Sequence, residues 1–258
     1  MILLQFCLVC FSQTKKLQYG HSHNDYLHKR PLLDALELGY TSIEIDLYYI
    51  YKRAKVSHTP FVLCLKPQLK PLYFDPLREI IRKNEGTVFP GDSTQLTLMI
   101  EFKHAPEKLY AYVKDLLKEF EDILEIPFGK HKRWGPVKII LMRGPSIDVL
   151  LKEETPYFAV DGGYYHLTSD IDASIVPRVS LNYNNYFTWN GKGPMPVHER
   201  ELLDKIVAKA KDKGRQLRFW AMPHNEVIWE TFLKAGVDVI NVDDLKRYAD
   251  FERSRRLE

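Results

Sequence analysis

The 258-residue chain has only three cysteines, which excludes a scaffold stapled by disulfides. Its 13 glycines and 15 prolines are too few for a collagen-like or low-complexity array. No uncharged apolar run approaches the ~20 residues that a membrane-spanning helix needs. Neither sign of charge is in excess: 37 Lys and Arg against 34 Asp and Glu give +3. Nucleic-acid binders concentrate basic residues on one stripe. The one dense basic cluster here, Arg253, Arg255 and Arg256, reads as a solvated helix end, so no nucleic-acid partner is expected. Common catalytic loops are missing too. Gly144-Pro145-Ser146 lacks the following glycine of a nucleophile elbow. Gly191-Lys192-Gly193 lacks the third glycine of a dinucleotide fingerprint, and there is no P-loop. What remains is a globular composition, 45% hydrophobic and 28% charged, ample for a sizeable core.

Residues 1–11, MILLQFCLVCF, are apolar and uncharged, and Ser12, Gln13, Thr14, Lys15 and Lys16 follow. The pattern is that of the core and cleavage region of a secretory signal peptide. It predicts a leader over 1–14, a single domain over 15–258 and a secreted, periplasmic or otherwise extracytoplasmic protein; a first buried strand or helix is the alternative. Cys7 and Cys10 lie inside the leader, so their C-x-x-C spacing carries little redox or metal weight. Lipidation of Cys10 stays open. Removal of the leader would leave Cys64 alone.

Beyond the leader, short β-like runs alternate with amphipathic helices. The runs fall near 17–21, 42–47, 95–102, 137–142, 157–160, 176–181, 216–221 and 238–242. Helices are predicted at 107–124, with Leu109, Val113, Leu116, Leu117 and Phe120 on one stripe, and at 199–212, with Leu202, Leu203, Ile206 and Val207. Long loops are expected at 59–71 and 184–196. Eight strand candidates with helices between them predict an α/β fold, a single-domain (β/α)8 TIM barrel, distorted; a doubly wound open sheet is the alternative.

Strand alternation puts Ile43, Ile45 and Leu47 on one face of the second strand, and Glu44 and Asp46 on the other. The next strand repeats the device, with Ile100 and Phe102 opposite Glu101 and Lys103. On a surface sheet that is polar-out patterning. Inside a barrel, paired carboxylates are costly unless a cation joins them. Just after the first strand comes Gly20-His21-Ser22-His23-Asn24-Asp25-Tyr26, and His58 follows Asp46 by twelve residues. Asn24, Glu44, Asp46 and Glu101 offer hard oxygen ligands suited to one divalent cation, Mg²⁺ or Ca²⁺, rather than Zn²⁺. His23 and His58 suit acid–base work near neutrality. Lys103 adds a positive charge beside them, and Arg143, after another strand, is a candidate phosphate contact. Asp161 ends a strand and could reach the site, with a structural turn as the expected role. The histidines at 28, 104, 131, 166, 198 and 224 have no metal-like spacing. Tyr48, Tyr49, Tyr51, Tyr183, Tyr186, Phe187 and Trp189 would wall an apolar or sugar cleft, touch a lipid surface, or simply pack their loops.

The string SHNDYL at 22–27, SIEID at 42–46, His58 and IEFK at 100–103 resembles the superfamily of phosphatidylinositol-specific phospholipase C and glycerophosphodiester phosphodiesterase. The resemblance runs from about residue 19 to 248. It implies catalytic His23 and His58, metal ligands Asn24, Glu44, Asp46 and Glu101, and a substrate-lining Trp220 on the seventh strand ahead of a Gly236-Val237-Asp238 turn. HSHNDY at 21–26, PL-x-x-AL-x-x-G on a helix at 31–39 and LYFDPL at 72–77 are similar to the branch that includes the altered inheritance of mitochondria protein six family. There are departures: no Arg follows the first histidine, Thr59 rather than Asp follows His58, and the linker from Tyr48 to Lys55 has no glycine. Which of His21 and His23 is the first catalytic histidine stays open. The resemblance implies hydrolysis of a phosphodiester, a glycerophosphodiester or phospholipid-derived head group, by His/His acid–base catalysis through a cyclic phosphate. A phosphatidylinositol- or sphingolipid-specific phospholipase, with transient membrane-surface contact, and a non-catalytic barrel that binds a phosphorylated ligand are the alternatives. No protein partner is inferable.

Overall fold

The computed structural model describes residues 15–255; the expected leader, Cys7, Cys10 and Arg256 lie outside the described residues. In chain order the elements are β1 (Gly20–Ser22), α1 (Leu33–Glu37), β2 (Ser42–Ile50), β3 (Arg53–Val56), α2 (Asp75–Lys83), β4 (Leu96–Phe102), α3 (Pro106–Lys118), β5 (Val137–Met142), α4 (Ile147–Leu151), β6 (Phe158–Gly162), β7 (Arg178–Asn182), α5 (Val197–Asp212), β8 (Gln216–Trp220), α6 (Glu226–Ala235), β9 (Val239–Val242) and α7 (Leu245–Ser254). Every strand but β3 runs parallel to its neighbours, from β1 through β2, β4, β5, β6, β7 and β8 to β9. The sheet closes where Gly20–Ser22 pairs with both Ile240–Val242 and Ile43. This is the expected (β/α)8 barrel, and closure rules out the open doubly wound sheet. It is distorted as well. Helices α1 and α4 are five residues each, and only a 3₁₀ turn, Tyr164–Leu167, links β6 to β7.

The core lies outside the barrel. Ile43, Ile45, Leu98, Ile100, Ile139, Leu141, Leu217 and Phe219 point outward and are buried under the helices. Alternation sends the opposite set inward: His21, Ser42, Glu44, Glu101, Arg178 and Arg218, all buried and polar. Met99, Ile140 and Ala159 form a small separate apolar belt across the interior. A barrel filled with charge is an expensive arrangement, which singles out its interior as functional.

Several expected boundaries move. The first strand starts at Gly20 because the Gln18 and Tyr19 amides donate to the Glu252 carboxylate at 2.6 and 3.1 Å. The helix expected over 107–124 ends at Lys118, and a 3₁₀ turn follows at Glu121–Ile123; the apolar spacing continues while the chain turns. The helix at 31–39 shrinks to α1. Within the expected loop at 59–71, Leu63–Leu65 is a 3₁₀ turn, and a π-turn at Lys70–Phe74 runs directly into α2. The loop at 184–196 packs Phe187 and Trp189 inward, with Glu199 accepting from the Thr188 and Trp189 amides at 3.0 and 3.2 Å. Strand β3 has no counterpart among the expected runs. It pairs antiparallel with the outer half of β2 through a two-residue turn, Tyr51-Lys52, whose φ angles are 48° and 57°.

Candidate active site

A cavity of about 390 Å³ opens at the C-terminal ends of the strands. His23, Glu44, His58, Glu101, Lys103, Arg143 and Trp220 all line it. Four turns that leave the strands around its rim adopt left-handed backbone at non-glycine residues: Asn24 (φ 49°), Ala105 (47°), Arg143 (54°) and Ala221 (56°). Such strain concentrates where side chains must be re-aimed. At Arg143 it accompanies a guanidinium folded back onto Glu101, Nε to Oε1 3.0 Å, with the residue mostly exposed.

The three acids converge. One carboxylate oxygen from each of Glu44, Asp46 and Glu101 lies within 4.8 Å of the others. Strands β2 and β4 cause this directly, because register sets Asp46 beside Glu101. Asp46 is fully buried and its Oδ1 has no hydrogen-bond partner. A fully buried carboxylate that has one oxygen without a partner and converges with two other acids fits a hard divalent cation. Its Oδ2 is crowded instead. The Tyr26 hydroxyl lies at 2.7 Å, His58 Nδ1 at 3.0 Å and Lys103 Nζ at 3.1 Å. Lys103 also donates to Glu101 Oε2 at 2.6 Å. These two carboxylates raise its pKa despite the opposing effect of burial. Asn24 stands apart from the cavity lining. Its Oδ1 is 2.5 Å from the Tyr26 hydroxyl, whose single proton can serve Asn24 or Asp46 but not both.

The two candidate first histidines have different environments. His21 has no exposure; its Nδ1 meets Ser42 Oγ at 2.7 Å and its Nε2 meets Glu44 Oε2 at 3.1 Å. Burial, aided by the Arg218 charge, drives its pKa down to about 3, so it is neutral and fully occupied. His23 faces the cavity. Burial opposes its protonation, but a 2.7 Å bond to Asp243 and the Glu44 charge outweigh that and raise its pKa. With Nδ1 on Asp243, its Nε2 points to the acids, 3.5 Å from Glu44 Oε1.

Several participants escaped the sequence reasoning. Arg218, 2% exposed, donates to Glu44 Oε2 and at 2.6 Å to Asn241 Oδ1. Its charge holds the Glu44 carboxyl well below the usual range against the cost of burial. Asp243 bridges His23 and His224, the latter at 3.2 Å. Asp161 is no mere turn: it lines the cavity, accepts from Ser180 Oγ at 2.8 Å, and burial pushes its carboxyl up to about 7. Period-two alternation with Arg218 and Asp161 turned inward was the available signal; nothing local marked Asp243 or His224. The aromatic residues expected around a cleft do not line the cavity. Tyr183 and Phe187 instead stack with Phe232 in the outer core.

A model of the AIM6-like phosphodiesterase domain matches residues 14–156, just over half of the chain and the part that carries His23 through Arg143. The chain is 27% identical over 259 residues to an altered inheritance of mitochondria protein 6 homolog from Arthroderma benhamiae, covering 87% of this chain and 81% of the relative. It is 28% identical over 266 residues to altered inheritance of mitochondria protein 6 from Eremothecium gossypii, covering 90% and 68%. The fold is similar to that of a glycerophosphodiester phosphodiesterase from Parabacteroides distasonis, with a TM-score of 0.54, 14% identity and coverage of 94% of this chain and 100% of the other. A putative glycerophosphoryl diester phosphodiesterase from Agrobacterium tumefaciens gives 0.51 at 12% identity, with the same coverage.

Proposed function

The chain belongs to the AIM6-like phosphodiesterase family, within the glycerophosphodiesterase and phospholipase C-like superfamily, and we propose that it is a metal-dependent phosphoric diester hydrolase. The substrate class is a glycerophosphodiester or a phospholipid-derived head group, met outside the cytoplasm. One observation carries the reading: His23, His58, Glu44 and Glu101 line one cavity at the C-terminal mouth of a barrel, and the buried Asp46 converges with those two acids just behind the lining.

Glu44, Asp46 and Glu101 would hold one divalent cation, Mg²⁺ or Ca²⁺, with Asp46 Oδ1 as the oxygen that now lacks a partner. When bound, the cation withdraws charge from a phosphate oxygen. His23 Nε2 takes the proton from a hydroxyl neighbouring the phosphate, because Asp243 fixes the proton on Nδ1. That hydroxyl oxygen bonds to phosphorus as the ester bond to the leaving group breaks, giving a cyclic phosphate, and water then opens the ring to the monoester with the two histidines exchanging roles. His58, held on Asp46 through Nδ1, gives a proton from Nε2 to the departing alkoxide. Arg143, at the exposed rim, and Lys103 bind phosphate oxygens, and Trp220 flanks the group attached to them.

A second reading, a barrel that binds a phosphorylated ligand without turnover, has one observation on its side. The Lys103 ammonium already sits between Glu101 and Asp46, where it supplies a counter-charge. The test is turnover of a panel of glycerophosphodiesters, whose free hydroxyl neighbours the phosphate, with Mg²⁺, Ca²⁺ or EDTA. Turnover that needs a cation and disappears in Glu44→Ala is expected. Tight cation binding without turnover on any diester supports the second reading, and absence of cation binding overturns the metal site.

A further inference from the structure

The opposite mouth of the barrel holds another cavity, of about 320 Å³, framed by the N-terminal ends of the strands. The belt of Met99, Ile140 and Ala159 lies between it and the cavity above. Ser42, Thr97, Lys138, Arg178 and Gln216 are among its lining, which contains no carboxylate. Arg178, the first residue of β7, is 2% exposed. Its Nε and Nη2 donate to Gln216 Oε1 at 3.3 and 3.0 Å, and its Nη1 donates to Ser42 Oγ at 3.1 Å and lies 3.6 Å from the Met99 sulfur. All of these partners are neutral. A guanidinium has five N–H groups, and these contacts leave one on Nη2. Burial pushes the pKa of Arg178 down to about 10, against the charges of Asp161, its register partner across β6 and β7, and of Asp238. In the upper cavity, by contrast, Glu44 has Arg218 and Glu101 has Lys103. Lys138 reaches the lower cavity from β5, and its one acidic neighbour, Glu125 at 3.3 Å, is outside the lining.

We propose that the lower cavity binds a small oxyanion, a phosphate or a carboxylate, between Arg178 and Lys138, with Thr97 and Gln216 as neutral donors. A buried guanidinium N–H is ordinarily matched by such an acceptor, and an oxyanion, with several acceptor oxygens, can take the free Nη2 hydrogen of Arg178 and the Lys138 ammonium together, as chloride cannot do directionally. The site is distinct from the catalytic cavity and does not depend on the reading of that cavity.

The experiment measures thermal midpoint and calorimetric affinity for inorganic phosphate, acetate and chloride at matched ionic strength, on the full chain. Gln216→Glu sets a carboxylate against Arg178, and Lys138→Glu reverses the second charge. Arg143→Ala removes a cation from the upper cavity only. Phosphate or acetate should raise Tm more than chloride does, and the stronger of the two assigns the anion class. Affinity should fall about tenfold or more in Gln216→Glu and Lys138→Glu and persist in Arg143→Ala. Gln216→Glu should also raise Tm without added anion. Tungstate soaked into crystals should appear beside Arg178. An equal gain with chloride, a loss in Arg143→Ala with the two base variants unaffected, or tungstate confined to the upper cavity would overturn the proposal. Should Gln216→Glu fail to fold, the partly exposed Lys138→Glu and the tungstate position still decide it.

Discussion

At the scale of residues, the site is a set of matched pairs in a low-dielectric interior. Arg218 and Glu44 are both buried, and removing either would strand the other's charge at a cost of about 3–5 kcal/mol. His23 and Asp243 are the pair with the clearest chemical consequence. A base must be unprotonated, and the folded pKa of His23 is raised, so activity should be lost as pH falls through a value above that of an ordinary histidine. Asp243→Asn removes the main raising contact. It should move that acid limb to lower pH and reduce kcat about ten- to hundredfold, which a pH–rate profile of the variant would show. An unmoved limb would mean that Asp243 only packs the ring. His58→Ala should lower kcat about 10²–10⁴-fold while calorimetry still finds cation binding, because His58 contacts the Asp46 oxygen that is already crowded. Cation binding lost along with activity would make His58 a prop for Asp46 rather than an acid.

At the scale of elements, the decisive piece is the β2–β3 hairpin. It carries the chain away from Asp46 and back, so that the Ser57 amide donates to the Asp46 carbonyl at 3.1 Å and His58 lands over the Asp46 side chain. A turn with both central residues in left-handed backbone usually takes Asn-Gly, and here it is Tyr51-Lys52. Replacing the pair by Asn-Gly should stabilise the protein by about 1–2 kcal/mol, read from urea unfolding, with phosphodiesterase activity unchanged. No gain in the unfolding midpoint would show that the turn stores no strain. The missing turn signal is also why β3 was illegible: alternation is short there, and the residues favour neither Gly nor Asn. Most barrel strands were legible because apolar residues alternate along them between turn residues; β1, Gly-His-Ser, has none, and the run expected at 17–21 meets it only at Gly20 and His21. Their inward polar faces read as solvated surface until the sheet closed.

At the scale of the whole molecule, the barrel segregates its apolar packing to the outside and its charge to the axis. Among the described residues no helix is long and apolar enough to cross a membrane. Three carboxylates around the cavity repel one another, and a cation that binds only the folded state adds stability by mass action. At about 100 times its dissociation constant, Mg²⁺ or Ca²⁺ should contribute about 2.7 kcal/mol, seen as a rise in Tm that EDTA reverses and that Glu101→Gln abolishes. A Tm indifferent to both cations would leave Lys103, Arg143 and Arg218 as the counter-charges of the three acids.

The sequence alone determined the barrel, through eight strand-like runs, and the convergence of Glu44, Asp46 and Glu101 near its mouth, through alternation on two neighbouring strands. Those are local properties, set by period and by chain order. The leader expected at 1–14 lies outside the described residues and rests on the sequence pattern alone. Only the tertiary structure chose His23 over His21 as the histidine that faces the cavity. His21 lies within β1 and His23 just past its end, and burial, aided by the Arg218 charge, outweighs Glu44 and neutralises His21. It also supplied Asp243, Arg218 and Asp161, which come from strands or turns more than a hundred residues away from Glu44. Contacts between distant strands are fixed by closure of the sheet, and no local pattern encodes which strand will face which across the axis.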